Sequence, residues 1–168
     1  MIRPAGAQDL PFLRDMLRHA YYARWGSEAD VPLERYVAGW GRRGDDALVA
    51  IDEFQPVGAA WYRLFEAAEP GYGFVDEDTP ELTIAIVPSR RGKGLGEQLL
   101  TSLLDHARKE GYARISLSVE PDNPAIHLYE QHGFAKVGER AGATIMRADL
   151  RSGGPDARER IRPPAAAA

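Results

Sequence analysis

Apolar positions along this chain change spacing from one segment to the next, and the changes predict alternating helices and strands. Leu10, Leu13 and Leu17 share one helical face. Asp9 stands at the N-cap position and Pro11 in the first turn, so a helix is predicted from Asp9 to about Ala20. A second, weaker helical stretch covers residues 33–40. Residues 47–52 and 57–65 predict two strands of a hairpin around Glu53-Phe54-Gln55-Pro56. Residues 66–80 form a loop rich in Gly, Pro and acids.

Residues 81–87 (Glu-Leu-Thr-Ile-Ala-Ile-Val) are apolar on both faces and β-branched, which predicts a central strand. Leu95, Leu99, Leu103 and Ala107 then recur at i, i+4, with Leu100 and Leu104 beside them, giving an amphipathic helix that ends at Gly111. Residues 113–120 alternate Ile115, Leu117 and Val119 with Arg114, Ser116 and Ser118, the period of a strand. Asn123-Pro124 opens a short helix that closes at Gly133, and residues 134–137 and 143–150 supply two final strands.

This order predicts one α/β domain over residues 1–150, with three α/β/α layers around a mixed, mostly antiparallel sheet of six to seven strands. The early hairpin argues against a doubly wound parallel sheet. Residues 151–168, ending Pro-Pro-Ala-Ala-Ala-Ala, have few apolar anchors and are expected to be a flexible tail.

Composition narrows the function. The 168 residues are 44% hydrophobic and 27% charged, as in a globular domain able to bury its own core. The absence of cysteine excludes disulfides, thiolate metal sites and cysteine nucleophiles. No basic stretch leads into an apolar run at the N-terminus and no apolar run is long enough to span a bilayer, so a cytoplasmic protein with no membrane partner is expected. A net charge of −4 argues against nucleic acid as a partner. The acids gather between Arg63 and Arg90, a stretch without Lys or Arg. They could attract a cationic substrate, although a solvated loop is the commoner reason for a charge run.

The segment richest in chemistry is Arg91-Gly92-Lys93-Gly94-Leu95-Gly96, between the central strand and its following helix. Alternate glycines let backbone amides approach a ligand closely. The helix N-terminus adds unpaired N–H donors, and three cations stand in or beside the loop. Together these make a cradle for a pyrophosphate. A P-loop needs Ser or Thr after its Lys, but Gly94 follows Lys93. A dinucleotide fingerprint needs G-x-G-x-x-G, and this loop is G-x-G-x-G. A plain tight turn is the bland reading, and three glycines among three cations exceed what one needs.

The loop, the Glu-Leu-Thr-Ile-Ala-Ile-Val-Pro strand before it and Asn123-Pro124-Ala125-Ile126-His127-Leu128-Tyr129-Glu130-Gln131-His132-Gly133-Phe134 after it resemble the GNAT superfamily of N-acetyltransferases. The resemblance spans residues 2–150, and the opening Ile-Arg-Pro-Ala with Asp9-Leu10 is similar to that family's first strand and helix. One departure is the turn at residues 53–56, which lacks the usual glycine. The resemblance implies the acyl-CoA N-acyltransferase fold and transfer of an acetyl group from acetyl-CoA to a primary amine, by direct attack in a ternary complex. It implies no metal, and no metal site is evident in the sequence. It is compatible with a homodimer and leaves the acceptor open between a small-molecule amine and a peptide or protein amine. A noncatalytic acyl-CoA-binding or sensing module on the same fold is the alternative.

The resemblance also implies residue roles. The amides of Gly92, Lys93, Gly94, Leu95, Gly96 and Glu97, with Arg91, would hold the pyrophosphate. Main-chain groups near Ile86 and Val87 would pair with the pantetheine arm, one N–H polarising the thioester carbonyl. Tyr129 would be the general acid, although a core tyrosine suits the same helix face. Asn123 would cap the short helix, bind the cofactor arm, or both. Glu81 would be the general base or position a water, against the reading of an exposed acid at a strand start. Tyr21, Tyr22, Trp25, Tyr36 and Trp40 would line the acceptor pocket or else belong to the core. The four histidines are expected to be structural, with His19 and His106 on helix surfaces.

Overall fold

The computed structural model describes residues 1–25 and 31–151, so the expected tail lies almost entirely outside the described residues. The strands are β1 (Ile2–Pro4), β2 (Asp46–Asp52), β3 (Gln55–Arg63), β4 (Glu81–Ile86), β5 (Arg114–Val119), β6 (Phe134–Arg140) and β7 (Ala143–Asp149). The helices are α1 (Leu10–Ala20), α2 (Leu95–Lys109) and α3 (Ala125–Gln131). The strands form one seven-stranded sheet in the order β1-β2-β3-β4-β5-β7-β6. Every neighbouring pair is antiparallel except β4 and β5. The mixed, mostly antiparallel sheet of the sequence reading is therefore present.

Alternation along the strands builds two cores, one on each face of the sheet. Leu82, Ile86, Ile115 and Leu117 pack with Leu99, Leu100, Leu103 and Leu104 of α2 and Tyr129 of α3. Ala59, Trp61 and Ala85 face the other way, against Leu13, Met16 and Leu17 of α1. The central strand is apolar on both faces because helices cover both.

The β2–β3 turn closes on two residues, Glu53 (φ 50°) and Phe54 (φ 66°), flanked by the Asp52–Gln55 pair. Both occupy the left-handed region that tight hairpins favour and that glycine or asparagine fills most easily. Asp52 and Glu53 nevertheless fix the turn to Arg90, 2.8 and 3.7 Å away.

Two local expectations are corrected. Asp9 occupies the N-cap position of α1 but makes no capping bond there. Its carboxylate turns back to take Arg3 through two oxygens (2.8 and 2.9 Å) and the Gly6 amide (2.8 Å), tying β1 to the helix entry. The Arg3 guanidinium accordingly holds the Asp9 carboxyl below its usual range.

The helix expected over residues 33–40 is only a 3-10 turn, Leu33–Tyr36. Side chains of β3 take the carbonyls that helix growth would have used. Trp61 Nε1 donates to Tyr36 O (3.1 Å), and Arg63 Nη1 donates to Arg35 O (2.8 Å) and Ala38 O (2.7 Å). Gly39 and Gly41, both at positive φ, then carry the chain away.

Arg63 is the anchor of this segment. It is fully buried, forks onto Asp45 through Nε (2.9 Å) and Nη2 (2.8 Å), and lies over the Trp40 ring. A buried ion pair adds little net stability, but removing one partner strands the other charge. Arg63→Met should therefore destabilise the fold by about 3–5 kcal/mol in urea unfolding. Arg63→Met combined with Asp45→Leu should recover most of that loss.

Candidate active site

The parallel junction between β4 and β5 is held by one rung, Glu81 with Ser116, where Ser116 N donates to Pro80 O (2.9 Å). Beyond it the strands part and leave a cleft of ≈ 470 Å³. Thr83, Ile84 and Ile86 line one wall, Leu117 and Ser118 the other, with Leu128 and Tyr129 of α3 above.

Register decides which backbone groups face the opening. In an antiparallel pair, alternate residues on a strand bond the same neighbour. Val87 N donates to Val57 O (2.9 Å), which assigns residues 81, 83, 85 and 87 to β3. The N–H and C=O of residues 82, 84 and 86 therefore point toward β5, where only the first meets a partner strand. Of the two residues expected to present main-chain groups, Ile86 faces the cleft and Val87 is used by the sheet. Ile84 joins Ile86, and the Ile86 carbonyl accepts from Arg91 Nε (3.0 Å).

At the far end of β4 the glycine loop turns into α2. Gly92 (φ 77°) and Gly94 (φ 81°) are left-handed, and a Cβ at either would meet nothing within 4 Å. The first helical bond is Gln98 N to Gly94 O (3.1 Å), so the amides of Leu95, Gly96 and Glu97 point outward from the helix start. Arg90 is engaged with Asp52, which leaves Arg91 and Lys93 as the cations of the loop itself. Glu97 pairs with His132 (3.2 Å) across the start of α2. Asn123 Oδ1 accepts from Ala125 N (2.9 Å), a capping bond for α3, and the residue also lines the cleft.

Tyr129 is 8% exposed, borders the cleft and packs edge-on against Phe134. Burial pushes its hydroxyl up to about 12, so it stays protonated across the neutral range.

Glu81 lies on the opposite face of the sheet. It is 1% exposed, which corrects the reading of an exposed strand-start acid. Tyr36, from the 3-10 turn, donates its hydroxyl to Glu81 Oε2 and accepts from Tyr72 N (2.8 Å). Burial raises the Glu81 carboxyl to about 7, against the Tyr36 hydroxyl, the Gly73 amide and the Arg140 charge, which all favour ionisation. Arg140 is held over the loop by the carbonyls of Gly71, Tyr72 and Phe74. Gly73 admits no side chain, and Gly71 admits one only if the Glu81 carboxylate moves. A Cβ at Gly71 would stand 2.3 Å from Glu81 Oε1, and one at Gly73 would stand 2.5 Å from the Leu117 carbonyl carbon.

Most of the acids of residues 66–80 are not in the site. Glu77 accepts from Ala67 N (2.9 Å) and Asp76 from Asp78 N (2.9 Å), bonds that shape the loop on its outer side. The five aromatics divide. Tyr21 and Tyr36 are buried beside Glu81, Trp40 stacks on Arg63, and Tyr22 and Trp25 are exposed. His19, expected on a helix surface, lines the cleft. His106 pairs with Asp46 (2.5 Å), where Glu110 completes a group of three potential metal donors remote from the cleft.

Sequence reasoning missed Thr83 and Ser118 as walls of the cleft. Their signal was polar residues at strand spacing, Glu81 with Thr83 and Ser116 with Ser118, in otherwise apolar strands.

The profile of the acetyltransferase (GNAT) family matches residues 10–134. The chain belongs to that family. It is 33% identical over 145 residues to an L-methionine sulfoximine/L-methionine sulfone acetyltransferase of Pseudomonas aeruginosa, covering 82% of this chain and 81% of that one. It is 30% identical over 150 residues to the mycothiol acetyltransferase of Gordonia bronchialis, covering 78% of this chain. The chain spans about half the length of that relative, 48%. The yncA protein of Salmonella typhimurium, solved with its cofactor acetyl-CoA, superposes with a TM-score of 0.66 at 25% identity, over 89% of this chain and 93% of that one. Among the described residues no helix is long and apolar enough to cross a membrane.

The raised carboxyl of Glu81 has a stability consequence. Between about pH 4.5 and 7 the unfolded chain is ionised at this position while the folded chain holds its proton. The stability of the native protein relative to Glu81→Gln should be fully present below pH 4.5, decline as pH rises to about 7, and level off above. The total change should be on the order of 3 kcal/mol. Urea midpoints for both proteins between pH 4 and 9 would measure it.

Proposed function

We propose that the protein transfers an acetyl group from acetyl-CoA to a primary amine by direct attack in a ternary complex. The observation that carries this reading is the opening between β4 and β5, with a glycine-led helix N-terminus at one end and unlike acid–base groups on its two faces. The outward amides of Leu95, Gly96 and Glu97, with Arg91 and Lys93, suit a pyrophosphate. The Ile84 and Ile86 main chain suits the amide groups of a pantetheine arm, and the free side-chain NH₂ of Asn123 stands at the same cleft.

Acetyl-CoA supplies an activated thioester; the protein supplies orientation, charge and protons. An N–H of β4 facing the cleft polarises the thioester carbonyl, an interaction worth roughly 3–4 kcal/mol where such donors have been removed. Tyr129 gives its proton to the departing sulfur. Glu81, on the acceptor side, accepts the proton the amine must lose, and a carboxyl poised near neutrality is suited to that exchange. A module that only binds acyl-CoA would have no use for a buried carboxylate matched to a protonated phenol across the same sheet.

The relatives suggest acceptors to try: L-methionine sulfone, L-2,4-diaminobutyrate and an alanine-ended peptide. Free thiol release with this panel tests the reaction. Tyr129→Phe should lower kcat by roughly 10²-fold without weakening acetyl-CoA binding. Equal turnover by Tyr129→Phe and the native protein would remove the acid role.

Binding is checked separately. Acetyl-CoA and CoA at 100 times their dissociation constants should stabilise the native protein by about 2.7 kcal/mol, and ATP should not. Gly94→Glu should lose this response. Gly94→Asn, which tolerates the left-handed backbone, should keep more of it. No stabilisation of the native protein would overturn the cofactor assignment.

A further inference from the structure

Glu81 carries the base role in the reading above, yet it does not line the cleft and has almost no exposed surface. A proton leaving an amine in the cleft needs a path to it. The groups between them are hydroxyls. Ser118, on the cleft wall, lies 3.4 Å from the Tyr21 hydroxyl. Tyr21 also lines the cleft, and the Tyr36 and Thr83 hydroxyls stand close enough to influence its ionisation, though neither is hydrogen-bonded to it. The Tyr21 and Tyr36 rings are 4.8 Å apart, and Tyr36 donates directly to Glu81 Oε2.

We propose that the acceptor amine's proton reaches Glu81 through a buried hydroxyl relay in which Tyr21 and Tyr36 are the conducting residues. This rests on the transferase reading. As the N–C bond forms, the amine N–H breaks and its proton passes to the Tyr21 oxygen, directly or through Ser118. Tyr21 passes its own proton to the Tyr36 oxygen, and Tyr36 passes its own to Glu81 Oε2. The C–S bond breaks and the sulfur takes the Tyr129 proton. Glu81 returns its proton by the reverse path and Tyr129 regains one from solvent, so the protein ends unchanged.

Three observations support the path. Burial and the neighbouring Glu81 charge raise both phenols, so each relays by exchanging protons without ionising. The Tyr36 oxygen accepts one hydrogen bond, from Tyr72 N, and keeps a second lone pair for an incoming proton. Thr83 Oγ1, Ser116 Oγ and Glu81 Oε1, all buried on this face, have no hydrogen-bond partner among the described residues. The face thus holds more hydrogen-bonding capacity than the fold itself uses. The charged and titratable groups around Glu81 are Tyr36 from the 3-10 turn, Tyr21 from the end of α1, Tyr72 from the loop and Arg140 from β6.

The test compares the native protein with Tyr21→Phe, Tyr36→Phe, Thr83→Val and Glu81→Gln. L-Methionine sulfone, or the best amine of the panel above, serves as acceptor across pH 6–9. The Glu81 carboxyl is followed by its infrared band, absent in Glu81→Gln, which should titrate near pH 7 in the native protein. Tyr21→Phe should lower kcat by roughly 10²-fold with the KM for acetyl-CoA unchanged, and should move the infrared midpoint up by less than Tyr36→Phe does, since Tyr21 is the weaker of the two hydroxyl influences on the carboxyl. Tyr36→Phe should lower kcat similarly and move the midpoint to higher pH, because the ionised carboxylate loses a donor.

Full kcat and a native pH profile in Tyr21→Phe would overturn the relay. So would loss of kcat in Thr83→Val but not in Tyr21→Phe, which would place the path through Thr83. If the native protein binds acetyl-CoA but acetylates no amine of the panel, the transferase reading falls and takes the relay with it. That outcome is distinct from an active native protein with an active Tyr21→Phe.

Discussion

Two halves of a sheet meet here at a single rung. β1 to β4 form one antiparallel unit and β5 to β7 another, and among the described residues Glu81 with Ser116 is the only strand pairing that joins them. The opening beyond that rung exposes backbone donors and acceptors that a sheet would otherwise satisfy internally. Such groups are costly to leave dry. They are tolerable because they face a cleft. Everything proposed for function depends on this gap: the strand that offers its main chain, the glycine loop at its end, and the acid and base on its two faces.

The fold was largely legible because the apolar spacing was unambiguous. The i, i+4 leucines of α2 and the alternation in β5 fit one element type each. The boundaries of 33–40 were not legible, because they depend on Arg63 and Trp61, more than twenty residues away in sequence, taking carbonyls that a helix needs. Asp9 shows the same limit. Its residue type fits a helix cap, but Arg3 offers it a charged partner that the helix does not.

The site was legible to different depths on its two sides. The proposed cofactor side is written in a local motif, since the geometry of residues 92–97 depends on its own glycines. The proposed acceptor side is assembled from six separated stretches: α1, the 3-10 turn, the 71–73 segment, β4, β5 and β6. Glu81 was named from sequence as a base, but its burial against Tyr36, and so its raised carboxyl, follows only from tertiary packing.

The two glycines of the 71–73 segment define what can be retailored. No side chain fits at either position without displacing Glu81 or the β5 backbone. The 71–74 segment of the acidic loop is thus a close wall of the site, held by Arg140 through three carbonyls. Tyr22 and Trp25, exposed just beyond α1, carry no such restriction. A library meant to alter the choice of acceptor would be better spent on those two positions than on the loop that sequence charge makes conspicuous.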